Sequence, residues 1–98
     1  MQQNFSAEKA LGYQQITSLS SAAALTVPNG TILAIITPEA QAVRWRDDGT
    51  NPTATVGYPL AVGAELRYTA AQFAALRFIE QAASAKLNIV YYGASGSW

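Results

Sequence analysis

Turn-forming residues divide this chain into short segments, and none of these segments keeps a helical period. Residues 28–30 read Pro-Asn-Gly and residues 47–49 read Asp-Asp-Gly, sequences that favour tight turns because Asn and Asp bond their own backbone and Gly adopts positive φ. Residues 31–37 are β-branched and almost wholly apolar, and apolar side chains alternate along residues 86–92. The spacing predicts seven or eight short strands at intervals of roughly ten residues. We therefore predict an all-β fold, an antiparallel β-sandwich resembling a jelly roll, with an all-β barrel as the alternative.

The length of 98 residues suits one domain with a single core. Residues 1–12 are polar and could form at most one helical turn before Gly12, so we expect an extended N-terminal arm there. Residues 13–92 are predicted to form the sandwich domain, and residues 93–98 a flexible Gly/Ser tail.

The strand pattern also suggests which segments are neighbours. Residues 31–37 are almost wholly apolar, as is typical of a strand covered on both faces, so we predict a central strand that is broken at Pro38 and Glu39. Residues 41–46 are expected to return beside it. Apolar positions alternate on either side of Gly63, which predicts two further strands.

The segment Val43-Arg44-Trp45-Arg46-Asp47-Asp48-Gly49 holds four of the twelve charged residues of the chain. In a strand, alternate side chains point to opposite faces, so Trp45 is expected to face the core while both arginines face outward. The predicted core residues are Trp45, Ile35, Leu66, Phe78 and Ile89.

Chemistry in this segment is restricted by composition. The chain has no His and no Cys, which excludes Ser/His/Asp and Cys/His nucleophilic sites and zinc-thiolate sites. Asp47 and Asp48 could form a carboxylate pair, or bind calcium together with Asn51, but neighbouring strand-end side chains diverge and the spacing is not that of a known calcium loop. We predict no catalytic, cofactor-binding or metal-binding residue, and no cofactor.

The surface is predicted to contact other proteins. Only 12% of residues are charged and 50% are hydrophobic, which suits either an unusually apolar monomer or a subunit of an assembly. The charged outer face could be satisfied by cross-strand ion pairs among Arg44, Arg46, Glu65, Arg67, Arg77 and Glu80. The candidate interface residues are Arg44, Arg46, Asp47, Asp48, Tyr92 and Trp98.

Charge and hydropathy exclude two other classes of partner. The net charge is zero, so no basic field attracts nucleic acid. Residues 1–6 lack the positive start and apolar run of a secretory signal, and no apolar stretch approaches the length that crosses a bilayer, so we expect a soluble protein made in the cytoplasm, without a membrane partner.

An ordered series of motifs over residues 22–92 resembles a group of small proteins encoded by tailed bacteriophages and prophages. It comprises residues 26–30, 41–54, 57–60, 76–79 and 86–92, with the Val-Arg-Trp-Arg-Asp-Asp-Gly core followed by Pro-Thr and a Gly-x-Pro-Leu element. The resemblance implies a non-enzymatic virion structural protein, either a head decoration or cement protein, located on the capsid surface after synthesis in the host cytoplasm. It implies partners among the major capsid or other virion proteins and a homo-oligomer, dimer or trimer.

Two alternatives share the same fold and composition. One is a tail, head-to-tail connector or fibre-associated component. The other is a carbohydrate-binding β-sandwich module in which Trp45, Tyr58 or Tyr68 would line a groove.

Overall fold

Two four-stranded antiparallel sheets make up the protein in a computed structural model that describes residues 7–69 and 72–94. Alternating side chains and β-branched residues favour strands throughout, and turn residues separate them. The strands are β1 Ala7–Ile16, β2 Ala23–Ala24, β3 Thr31–Glu39, β4 Val43–Arg46, β5 Tyr58–Leu60, β6 Leu66–Tyr68, β7 Arg77–Glu80 and β8 Lys86–Ala94. A single 3₁₀ turn, Phe73–Ala75, precedes β7 within the described ranges.

The strand order identifies the sandwich as a jelly roll. One sheet, which we call sheet A, has the order β1-β8-β3-β6, and the other, sheet B, has the order β2-β7-β4-β5. The first strand therefore pairs with the last, the second with the seventh, the third with the sixth and the fourth with the fifth. This is the pairing of one long hairpin rolled into two sheets, as in the eight-stranded jelly roll. The prediction of an all-β antiparallel sandwich is confirmed, and the fold is not a closed barrel.

Strand β3 is central, as predicted, because it lies between β8 and β6. It does not end at Pro38, which is buried and opposite Leu87, but one residue later. Ala40 has a φ of 74°, and the Gln41 amide donates to the Glu39 carbonyl at 2.9 Å, the pattern of a γ-turn. This tight turn sends the chain into the opposite sheet.

One predicted neighbour relationship is therefore wrong. Residues 43–46 form β4 of sheet B and do not return beside β3. The two strands predicted on either side of Gly63 are present as β5 and β6, and they belong to different sheets. Alternation identifies a strand and its faces, but a jelly roll changes sheets at most of its connections.

The core lies between the sheets and departs from the prediction at one residue. Phe78 and Ile89 are fully buried, and Trp45 and Leu66 are partly buried against the core. Ile35 was expected in the core, and this is wrong. Its neighbours Ala34 and Ile36 are fully buried, so strand alternation directs the Ile35 side chain to the outer face of sheet A, where it is half-buried.

The ends of the predicted domain also change. Residues 7–12 were expected in an arm, but they belong to β1 and pair with residues 91–94 of β8. Gly93 and Ala94, expected in the flexible tail, are the last residues of β8. The remainder of the predicted arm, residues 1–6, and of the tail, residues 95–98, lies outside the described residues.

Candidate functional site

A row of aromatic rings runs from the core to the surface at the end of β4. Trp45 is the direct cross-strand partner of Tyr58 on β5, and their rings stack with centroids 5.2 Å apart and planes 29° from parallel. Trp45 also meets Tyr68 of sheet A edge-on at 6.3 Å, and Tyr68 meets Phe73 in the same way at 5.4 Å. Aromatic pairs in these geometries stabilise the fold beyond the contribution of their buried area. We call these four residues the aromatic row.

Exposure differs sharply along the aromatic row. Tyr68 is buried, Trp45 is partly buried, and Tyr58 is 67% exposed. The Trp45 side chain is therefore not a fully enclosed core residue: it lies on β4 next to the short edge strand β5, where the exposed ring of Tyr58 stacks on it.

Arg44 holds the loop that precedes Tyr58. Its Nε donates to the carbonyl of Ala54 at 3.1 Å, and its Nη1 donates to the carbonyl of Gly57 at 2.8 Å. The hydroxyl of Thr53 also accepts from the amide of Val56 at 3.0 Å within that loop. The Arg44 guanidinium, which was predicted to contact a partner, therefore binds the protein's own backbone and fixes the loop before Tyr58 beside β4.

Gly57 allows this loop to approach β4. Its φ is +141°, and a Cβ atom there would lie 3.1 Å from Pro52 Cβ, 3.2 Å from Arg44 Cβ and 3.3 Å from the Trp45 carbonyl oxygen. A residue with a side chain would be strained in its backbone and would crowd all three neighbours. Glycine is therefore required for the loop to lie as it does.

The two adjacent aspartates have different partners. Asp48 accepts a two-point hydrogen bond from Arg46, which lowers the pKa of Asp48 and raises that of Arg46. Asp47 accepts from the Tyr68 hydroxyl at 2.6 Å through Oδ2. Burial, reinforced by this bond, raises the pKa of Tyr68 to about 12. The two neighbouring carboxylates therefore have separate hydrogen-bond partners.

An open groove of about 400 Å³ lies beside these residues. It brings together three candidate interface residues from the sequence with the exposed ring of Tyr58. Its lining consists of Arg46, Asp47, Asp48, Val56, Gly57 and Tyr58.

The other predicted contact residues do not belong to this groove. Tyr92 is half-buried on β8, on the outer face of sheet A. Trp98 lies outside the described residues. Among the described residues, the ion pairs differ from the predicted cross-strand pairs. Each joins two residues that are two positions apart in the chain, Arg46 with Asp48 and Arg67 with Glu65.

Sequence reasoning missed the contribution of Val56 and the bond between Tyr68 and Asp47. Val56 is a 53% exposed apolar residue in a long loop, and nothing in its local pattern indicates a site. The Tyr68 contact joins positions 21 residues apart in different sheets, so only the three-dimensional fold reveals it. The sequence signal that could have indicated this site is the Gly-Tyr-Pro-Leu element, in which an aromatic residue, Tyr58, directly follows the loop glycine Gly57.

Comparison of the chain with protein-family models, curated proteins and solved structures gives no match. Within residues 7–69 and 72–94, His, Cys, Asp and Glu side chains form no group of three or more that could hold a metal ion. The same residues include no helix with the length and hydropathy needed to cross a membrane.

Proposed function

We propose that the protein is a non-enzymatic structural component of a bacteriophage virion, a head decoration protein that associates with copies of itself and with the head shell. The virion part of the proposal rests on the ordered motifs between residues 22 and 92. The observation that carries the assembly part is an apolar surface on the outside of sheet A.

One row of side chains crosses the outer surface of all four strands of sheet A. Tyr13 is the partner of Val90, Val90 of Ile35, and Ile35 of Arg67. Directly opposed residues share a face, so these four side chains lie side by side. Three of the four are apolar or aromatic, and Tyr13 is 61% exposed. The solvent face of an antiparallel sheet normally carries polar residues at such positions.

A second row extends the apolar surface. Tyr92 is the partner of Leu33 one step along the same two strands, so Tyr92 lies on the face that carries Ile35 and Val90, while Leu33 beside it is buried, at 7% exposure. We call Tyr13, Ile35, Val90 and Tyr92 the outer apolar face. Contiguous apolar surface of this kind marks protein contact more often than isolated exposed residues do.

Polar side chains border the outer apolar face around Asn88 and at Arg67. Asn88 accepts from Tyr13 at 2.5 Å and from Gln15 at 3.0 Å, and donates to Glu39 at 3.0 Å. Arg67 lies at the other end of the first row and pairs with Glu65. An apolar centre with a hydrogen-bonding border is the usual anatomy of a protein interface.

Quantitative mass spectrometry of purified particles, with heads and tails separated, tests the location. A head decoration protein is expected in heads at hundreds of copies per particle, the order set by the symmetry of a shell. A dozen copies or fewer, found with tails, would support the tail or connector alternative. Absence from both fractions would refute the virion assignment.

The contact surface is tested by binding of the purified chain to heads that lack it. Tyr13→Glu and Ile35→Lys, which place charges on the outer apolar face, are expected to weaken binding and self-association. Val62→Lys is the matched control, because Val62 is also an exposed apolar residue, at 53%, but lies outside this face. Equal binding by all three variants with unchanged thermal melts would exclude the outer apolar face as the contact.

A further inference from the structure

We propose that the groove beside Tyr58 binds a neutral sugar ring, a hexopyranose unit of an oligosaccharide, with the ring face stacked on Tyr58. This inference rests on the groove alone and holds whether or not the chain is a virion component. The groove belongs to the end of sheet B, whereas the outer apolar face belongs to sheet A.

Tyr58 is both exposed and held in place, which is what a stacking platform requires. Two-thirds of its surface is accessible, while Trp45 lies behind it in a stacked contact. Trp45 is in turn fixed against the buried ring of Tyr68. The backbone just before Tyr58 is fixed by the hydrogen bond from Arg44 to the Gly57 carbonyl. A platform ordered in advance loses little conformational entropy when a ligand binds.

Polar atoms beside the platform match the hydroxyl groups of a sugar. Asp47 uses Oδ2 for Tyr68, and its Oδ1 accepts from no donor among residues 7–69 and 72–94. Arg46 binds Asp48 through Nε and Nη2, and its Nη1 has no acceptor in the same part of the chain. A carboxylate oxygen accepts from a hydroxyl while a guanidinium nitrogen donates to one. The groove volume of about 400 Å³ lies within the range of small-molecule sites.

The local charge selects the class of ligand. One arginine and two aspartates line the groove, so a phosphate, a uronic acid or a sialic acid would meet net negative charge. Proline-rich peptides also dock on aromatic rings, but they present carbonyl acceptors, and the two carboxylates cannot donate to them. Sugar hydroxyls both donate and accept, so a neutral sugar satisfies this lining best.

Titration of the intact chain with oligosaccharides tests the proposal. The probes are maltohexaose, cellohexaose and mannohexaose, with hexagalacturonate and a proline-rich peptide as comparisons. In a Trp98→Phe background, tryptophan fluorescence reports Trp45, which lies directly under the platform. We expect at least one neutral hexamer to bind saturably and to change this fluorescence, with weaker or no binding of hexagalacturonate and the peptide.

Variants assign the binding to the groove. Tyr58→Ala is expected to weaken binding by about tenfold or more, as loss of an aromatic contact worth about 1.4 kcal/mol implies. Tyr58→Trp should retain it. Tyr13→Ala is the matched control, because Tyr13 is similarly exposed, at 61%, but lies on sheet A.

Three results would overturn the proposal. One is the absence of saturable binding for all three neutral hexamers at millimolar concentration. Another is equal binding by Tyr58→Ala and the parent chain when both give the same thermal melt. The third is preferential binding of hexagalacturonate or of the proline-rich peptide.

Discussion

The Tyr68 hydroxyl donates a 2.6 Å hydrogen bond to the Asp47 carboxylate and joins the two sheets of the sandwich. Tyr68 belongs to β6 of sheet A, and Asp47 directly follows β4 of sheet B. The contact lies where the aromatic row leaves the core. It therefore connects the packing between the sheets with the position of the groove residues.

Tyr68→Phe is expected to reduce the free energy of unfolding by about 1–2 kcal/mol, because the bond is made to a charged acceptor by a buried ring. Chemical denaturation measures this change. Tyr13→Phe is the control, since the Tyr13 hydroxyl bonds Asn88 at an exposed position and its loss should cost about 0.5 kcal/mol or less. Equal losses in the two variants would contradict a special role for the bond between the sheets.

Alkaline titration should reveal late ionisation of two tyrosines, Tyr68 and Tyr91. Burial raises the pKa of Tyr91 to about 12, and burial with the Asp47 bond does the same for Tyr68. Unfolding restores a pKa near 10, so the unfolded chain loses protons first. The contribution of these groups to stability is thus intact below about pH 10 and decreases as the pH rises towards 12.

Ultraviolet difference absorbance of phenolate, followed together with circular dichroism, checks this titration. In Tyr68→Phe one late-titrating group should disappear while the Tyr91 group remains. Ionisation of every tyrosine near pH 10 with the fold intact would contradict the burial of both phenols.

Arg44→Ala is expected to release the loop before Tyr58, because two carbonyls, of Ala54 and Gly57, lose their donor. We expect a loss of about 1–2 kcal/mol in unfolding free energy. Hydrogen exchange should accelerate in residues 53–57. Arg67→Ala, which removes only an exposed pair with Glu65, should change stability by about 0.5 kcal/mol or less. Unchanged exchange in the loop would show that other contacts hold it.

Trp45 and Phe78 are cross-strand partners with different degrees of burial, and truncation should distinguish them. Phe78 is fully buried, so Phe78→Ala should cost about 3–5 kcal/mol. Trp45→Ala should cost less, about 2–3 kcal/mol, because part of the indole is already accessible. Urea denaturation of both variants checks the order. A larger loss for Trp45 would indicate that the aromatic row, and not the central core, dominates stability.

The sequence predicts the strands well because their signal is local. Alternation assigns Leu87, Ile89 and Tyr91 to the inner face of β8, and all three are buried. Which strands become neighbours depends on contacts far apart in the chain, and alternation carries no information about them. The prediction of a strand over residues 43–46 is therefore correct, but the predicted position of that strand beside β3 is wrong. Ile35 fails for a related reason: a wholly apolar run does not indicate which of its two faces meets the core.

The groove is predictable only in part. Arg46, Asp47 and Asp48 stand out because charges are scarce in the chain. Their actual partners follow from the turn at Gly49, which has a φ of 85°, and from the approach of Tyr68 in the other sheet. The contribution of Val56 depends on how Arg44 and Gly57 place the loop. Because this loop position is set by tertiary contacts, the sequence pattern around Val56 does not predict that Val56 lines the groove.

Removal of residues 1–12 tests whether the N-terminal segment is an arm or a strand. Residues 7–12 pair with the end of β8, and Leu11 packs so closely on Gly93 that a Cβ there would lie 2.9 Å from Leu11 Cδ1. We expect the truncation to destabilise the fold because it removes this packing and residues 7–12 of the ten-residue edge strand β1. Leu11→Ala should cost about 1–3 kcal/mol, since the side chain is partly buried against the core. The exposed Lys9 supplies the control, and Lys9→Ala should change the denaturation midpoint by less than the error. A truncated chain with the parent midpoint would restore the interpretation of this segment as an arm.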